Sequence, residues 1–372
     1  MIMFNPNSFG HLAALPPDWP GNFWLHLMAF TVIILAFVLI TAIIFIWLER
    51  RGLGRLQIRL GPNRAGPFGL LQPLADVLKL LIKEDTVPTK ADKLVFWLAP
   101  IVALAPVLML FAVIPFQSGA LLADLNIGIL YVIAISSLAS VGVFMAGWAS
   151  NNKYSLIGAM RDVAMLISYE IPIVISIVGV ILITGSLSLT EIVGAQESIP
   201  FILLQPLGFL IFFLGSLAES NRTPFDLVEA DSEIVAGYHI EYSGMKYGTL
   251  MLTEYAEIIA ISALVTTLFL GGWQGPLLPP ILWFFIKVAA VFLLSVWIRG
   301  TIPRLRIDQV MAFAWKFLLP LALINLLVTS LQVILWPEAS LWLIVFLNLT
   351  VMAILILSWS RFFRLGGERI EV

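Results

Sequence analysis

Cysteine is absent from the 372 residues. The chain can therefore form no disulfide and hold no thiolate-ligated iron–sulfur cluster. Histidine is nearly absent too: His11, His26 and His239 stand far apart, and no paired spacing marks a haem or metal site. Neither Gly-x-x-x-x-Gly-Lys-Ser/Thr nor Gly-x-Gly-x-x-Gly occurs, so binding of ATP or a dinucleotide has no support. No basic tract suggests nucleic acid as a partner. Residues 1–24 lack Lys and Arg and contain no small-residue cleavage site after a short apolar core. They read as an exposed leader before an uncleaved anchor rather than as a signal peptide. Charge itself is scarce, at 12% of residues against roughly a quarter in soluble domains. Short alternating segments of the barrel type are missing as well.

What is present in quantity is apolar sequence, 60% of the chain. It falls into nine runs, near 25–48, 94–116, 126–148, 162–184, 200–218, 250–270, 280–299, 316–336 and 340–360. Runs of about 20 apolar residues span a bilayer as helices. The pattern predicts an all-α polytopic membrane protein of about nine transmembrane helices. Residues 25–360 form a single membrane domain, with a leader 1–24 and a tail 361–372. Loops 49–93, 149–161, 219–249 and 299–315, the tail and Lys316 hold every Lys and Arg except Lys287. This positive-inside asymmetry places that side in the cytoplasm, the N-terminus outside and the C-terminus inside. Within the first cytoplasmic loop, Leu70, Leu74, Val77, Leu78 and Leu81 share one helical face, while Asp76, Lys79 and Lys83 share the other. That segment, 67–84, is too short to span and reads as an interfacial amphipathic helix.

The acids are the unusual feature. Glu219, Asp226, Glu229, Asp231, Glu233 and Glu241 lie in one loop with only Arg222 and Lys246 as fixed positive partners. Asp226 and Glu241 suit those two cations as structural partners. Glu170 lies about eight residues into the fourth run, just before Pro172; Glu254 and Glu257, three apart, share a face of the sixth; Glu219 closes the fifth. An ionised carboxylate in the bilayer centre costs about 2.5–3.5 kcal/mol on insertion scales. A lone membrane Glu can be a structural hydrogen-bonding group. Four on three helices, continuous with an acidic loop, favour a path for protons or ions. Glu49-Arg50-Arg51 and the run Arg299 to Gln309 gather cations on the same face. Part of that charge is orientation signal and lipid-headgroup binding.

Four blocks carry a family resemblance. They are Glu49-Arg50-Arg51 with Gln57 to Arg64, Leu71 to Asp76 and Lys79; Ala159 to Pro172, containing Ser168-Tyr169-Glu170; Ala218 to Lys246; and Arg299 to Leu321, with Pro303-Arg304-x-Arg306-x-Asp308-Gln309. Together they resemble the H-subunit family of bacterial NADH–quinone oxidoreductase, respiratory complex I. The resemblance implies a membrane component at the junction with the hydrophilic arm, forming the quinone entrance and chamber wall. Ubiquinone or menaquinone would be the substrate, with iron–sulfur clusters only in partner subunits. It further implies other complex I subunits and membrane lipids as partners, a bacterial inner-membrane location, and five spans arranged as a broken-helix bundle. By analogy Glu49, Arg50, Asp76, Lys79, Phe225, Arg299 and Arg304 would lie near the quinone. Asp226, Glu229, Asp231 and Glu233 would sit at the chamber base, and Glu219, Glu254 and Glu170 would relay charge or protons onward. Asp231 departs from the family's usual Glu, and Glu257 stands where an uncharged residue is expected. Two other readings are a homologous component of a membrane-bound hydrogenase-type complex, coupling ions without a quinone, and a stand-alone ion transporter.

Overall fold

The computed structural model describes residues 23–118, 123–227, 235–335 and 341–362. Glu229, Asp231 and Glu233, the leader and the tail beyond residue 362 lie outside the described residues. Its helices are α1 (Phe23–Leu56), α2 (Gln72–Ile82), α3 (Lys93–Leu110), α4 (Gly128–Ala149), α5 (Lys153–Thr184), α6 (Leu189–Gly194), α7 (Phe201–Leu204), α8 (Pro206–Glu219), α9 (Gly244–Phe269), α10 (Pro280–Thr301), α11 (Ile307–Leu335) and α12 (Leu341–Phe362). The architecture is all-α. Eight helices among the described residues are long and apolar enough to cross a membrane.

Two expectations about the spans need correction. The fifth is not a continuous helix. Pro206 has no N–H and drives Gln205 out of helical geometry, to φ −131° and ψ 64°, splitting the segment into α7 and α8. The 14 residues of α8 rise about 21 Å, short of a hydrocarbon core of roughly 30 Å. Backbone freed at such a break needs side-chain partners in lipid. Asn348 of α12 donates to the Leu204 carbonyl at 2.6 Å, and Gln205 donates to Thr329 of α11 at 3.0 Å. The fourth span starts well before residue 162. The Asn152 side chain accepts from the Tyr154 N–H at 3.0 Å and starts a 32-residue helix at Lys153. Glu170 is therefore mid-helix, about 26 Å from its start rather than near one end.

The core forms around α9. Burial covers 78% of its most apolar window, against 6% for α12, so α9 is the axis and α12 a peripheral strut. Thr253, Ser262 and Thr266 return their hydroxyls to carbonyls four residues back, which lets polar residues sit on a buried helix. Helices α3 and α4 approach so closely at Gly142 that a Cβ would stand 2.5 Å from the Ala103 nitrogen. At the end away from the basic loops, Lys287 donates to the carbonyls of Leu270, Gly272 and Gln274 at 2.6, 3.0 and 2.6 Å. It thereby neutralises the C-terminal end of α9. At the basic end, α2 leaves Leu74, Leu78 and Leu81 exposed, as an interfacial helix would.

Candidate functional site

Beneath the basic end, α1, α5, α8, α9, α10 and the acidic loop converge on one set of buried ionisable groups. The outermost member is Asp226, 1% exposed, held by Arg304 at 2.9 Å. Below it Glu49, also buried, accepts from Arg222 at 2.8 Å and from Arg299 through the same Oε1. Tyr255 stands beside this carboxylate, and the Arg222 guanidinium lies 4.6 Å from its ring centroid. Burial disfavours the Arg222 cation, but Glu49, Tyr255 and Glu254 together outweigh it and hold the guanidinium above its usual pKa. Paired with Glu49 through Nη1 and stacked on Tyr255, it is a fixed charge.

Further in, carboxylates outnumber cations. Glu254 accepts from the Tyr238 hydroxyl at 3.1 Å. Glu257, one helical turn on, feels the charges of Glu219, Asp162 and Glu254, with Arg222 as the compensating cation. Glu219 in turn feels Glu170. Asp162 is fully buried with the Asn221 amide beside it. A cavity of about 40 Å³ connects three of these acids: Glu170, Glu219 and Glu257 line it together with Ser136 and Ser216. A second, of about 30 Å³, is lined by Asn221, Arg222, Glu254, Tyr255 and Arg299. At 10–15 Å³ per probe-sized water, each volume has room for roughly two or three. Carboxylates that feel one another's charges in this way do not titrate independently.

Flanking the set, His239 is buried against Tyr238 and Tyr247, with ring centroids 5.1 and 5.5 Å away. Burial pushes its pKa down to about 4, against the opposing pull of Asp226, so this imidazole is neutral at physiological pH. Burial likewise pushes the Tyr242 phenol upward. The segment bearing both is pressed onto α5 at Gly158, where a Cβ would lie 2.6 Å from the Gly237 Cα.

The family model described as NADH dehydrogenase matches residues 28–330. The chain belongs to the NADH dehydrogenase family. Proteins from two strains of Dehalococcoides mccartyi, both named as the H subunit of NADH-quinone oxidoreductase, are 61% and 60% identical to it over 352 residues. The match covers 95% of this chain and 99% of theirs. A Syntrophobacter fumaroxidans protein, named as the second of that organism's H subunits of the same enzyme, is 52% identical over 326 residues. That match covers 85% of this chain and 98% of the relative. The resemblance carried by the four sequence blocks is borne out.

In this NADH dehydrogenase family member the sequence-derived site residues divide into groups. Glu49, Arg299, Glu254, Glu219 and Glu170 belong to the buried chain just described. Arg304 and Asp226 pair at its outer end. Arg50 and Asp76 form a separate bond at 2.5 Å that ties α1 to α2, while Lys79 is exposed on α2. Phe225 is buried, packed between Tyr169 and Phe313 at 5.2 and 6.1 Å.

The expected partners of Arg222 and Lys246 are corrected. Arg222 binds Glu49, and Lys246 binds Asp85 at 3.0 Å while lying 3.5 Å from the Trp97 ring centroid. Glu241 instead accepts from Asn152 at 2.7 Å. Sequence reasoning missed Asp162, because the span was placed to start at that residue; the Asn152 cap was the signal that α5 begins earlier. It also missed Tyr255 and left Glu257 outside the site, although Glu257 lies on the Glu254 face at helical spacing.

Proposed function

We propose that the chain is the H-type membrane component of a proton-pumping NADH–quinone oxidoreductase, in which it walls the quinone chamber and couples quinone reduction to proton translocation. The observation carrying this reading is the succession of ionisable groups from the exposed Arg304 and buried Asp226, through Glu49, Arg222 and the half-buried Arg299, to the half-buried Glu254, Glu257, Glu219 and Glu170. Its outer end opens towards the basic face, where hydrophilic quinone-site proteins carrying the iron–sulfur clusters would dock. Its inner end reaches mid-helix in α5, towards neighbouring membrane-arm subunits. The protein would sit in the bacterial inner membrane with its N-terminus outside. Glu229, Asp231 and Glu233 would extend the outer end as the chamber base, and Arg50, Asp76, Lys79 and Phe225 would frame the quinone path.

Reduction of a quinone to a quinol takes up two protons and changes the charge at the chamber. The paired end can transmit that change only as a field, since its ion pairs are fixed. The carboxylate-rich end can answer it by exchanging protons through water in the two cavities. Such a response is a coupling between sites, so its strength is reciprocal: the protonation of Glu219 would also bias events at the chamber. Ubiquinone and menaquinone both satisfy this reading.

The test is Glu170→Gln, Glu219→Gln and Glu254→Gln, made singly in the assembled complex, with quinone reduction and proton pumping both measured. Each variant is expected to lose most of its pumping. Wild-type pumping and turnover in all three would refute the coupling, and the amount of assembled complex in the same membranes separates this from failed assembly.

A further inference from the structure

A second cationic feature lies on the opposite side of α1 from the buried chain. Arg51 follows Glu49 by two residues, about 200° round the helix, and so faces away from it. Its guanidinium is held in place. Nη1 donates to the Phe68 carbonyl at 2.9 Å, and Cζ stands 5.4 Å from the Trp47 ring centroid and 5.1 Å from that of Phe68. The Trp47 indole donates to the same carbonyl at 3.1 Å. Phe68 makes both contacts from a left-handed backbone, φ 56°, a costly conformation for an aromatic residue. The ring is 68% exposed, so burying Phe68 is not what that conformation achieves.

These residues border a groove of about 430 Å³ between α1 and α10, lined by Trp47, Leu48, Arg51, Arg55, Phe68 and Leu293. No carboxylate lines it, and among the described residues Arg51 and Arg55 have no ion pair, whereas the adjacent Arg50 has Asp76. Both walls continue as exposed apolar surface, Ile40 and Ile44 on α1 and Ile286 and Leu294 on α10. The groove thus offers two guanidiniums, one fixed with most of its five N–H donors free, at the head of an apolar channel that opens to lipid. Trp and Arg at this level of a spanning helix mark the membrane interface.

We propose that this groove is a binding site for one anionic phospholipid, its phosphate held by Arg51 and Arg55 and an acyl chain lying along Leu48 and Leu293. A soluble anion would use the charges but leave the apolar channel empty. A zwitterionic lipid would bring its own cation to two arginines that lack a counter-charge.

The assembled complex in native membranes can be labelled with photoactivatable phosphatidylglycerol, and separately with photoactivatable phosphatidylcholine, and the crosslinked peptides mapped. The expected result is preferential labelling by the anionic probe of peptides containing Trp47, Phe68 or Leu293. Arg51→Gln with Arg55→Gln should lower it by roughly tenfold, and Leu293→Trp, which fills the channel and keeps both charges, should lower it comparably. Equal labelling by the two lipids, or unchanged labelling in Leu293→Trp, would overturn the proposal. So would loss of labelling on adding inorganic phosphate, which would make the site one for a soluble anion. Displacement by a short-chain quinone would overturn it as well, by making the groove a mouth of the quinone path. Should the double arginine variant fail to assemble, Leu293→Trp and the competition arms decide the matter.

Discussion

The two ends of the carboxylate chain are built from the same residue types but differ in how their charges are compensated. Among the described residues, both acids at the outer end have cations: Asp226 has Arg304, and Glu49 has both Arg222 and Arg299. At the inner end Glu257, Glu219 and Glu170 line one small cavity, Asp162 is buried within reach of the Glu257 charge, and Arg222 is the cation that compensates Glu257. Pairing fixes a charge, and crowding without pairing makes it exchangeable. In the proposed relay the outer end would hold the architecture and set the field, while the inner end would exchange protons. Such a relay separates the two roles along one line of side chains instead of asking either set to do both.

The sharpest way to break this comparison is Glu49→Gln. It strands two guanidiniums in a buried site, and removal of one member of a buried pair typically costs about 3–5 kcal/mol. We expect loss of assembled complex or a large fall in its thermal midpoint. Arg50→Gln, which opens the exposed bond to Asp76, should cost no more than about 1 kcal/mol. Equal losses from the two variants would show that pairing at Glu49 is no more than a surface contact.

A second test uses pH. His239 titrates near 4 when folded and near 6.5 when unfolded. The unfolded chain therefore binds the extra proton between those values, and stability contributed by the neutral imidazole is full above about 6.5 and lost as pH falls towards 4. The effect amounts to about 3 kcal/mol at most. Thermal melts of the complex from pH 7 to pH 4.5 should show a destabilisation that His239→Gln reduces; an identical slope in the variant would place the acid sensitivity elsewhere.

Smaller still is Tyr238→Phe. It removes the hydroxyl bonded to Glu254 without changing charge, at a stability cost of about 1 kcal/mol. Its more informative readout is the pH profile of quinone reduction, which should shift because Glu254 loses a donor to its charged form. A profile superimposable on the wild type would remove Tyr238 from the chain. The smallest stability effect is expected for Glu257→Gln, since glutamine keeps the shape and relieves like-charge crowding. The melting midpoint should stay level or rise while pumping falls. A fall in midpoint as large as that of Glu49→Gln would erase the distinction between the two ends.

Much of this was legible in the sequence. Acids inside apolar runs are expensive, so Glu170, Glu219 and Glu254 stood out from composition alone, and the one-sided distribution of Lys and Arg gave the basic face. The Gln205-Pro206 break was also present in the residues, though a long apolar run masked it. What could not be read was pairing. Arg222 and Glu49 are 173 residues apart, and nothing local prefers Glu49 over Asp226 as the partner. Lys246 finds Asp85 because the first turn of α9 packs on the linker before α3, a tertiary fact that favours a distant acid over the nearby Glu241. Asp162 was hidden by a helix start placed too late.

The central claim, that protons are exchanged at the inner end in response to quinone chemistry, is tested most directly by reduction-induced infrared difference spectroscopy on the assembled complex. In the wild type, quinone reduction should produce a signal in the carboxylic-acid C=O region. Glu219→Gln and Glu257→Gln should each remove or reshape that signal, and Asp124→Asn, at an exposed carboxylate bonded by Thr190, should leave it unchanged. A wild-type signal that survives intact in both inner-end variants would contradict the account.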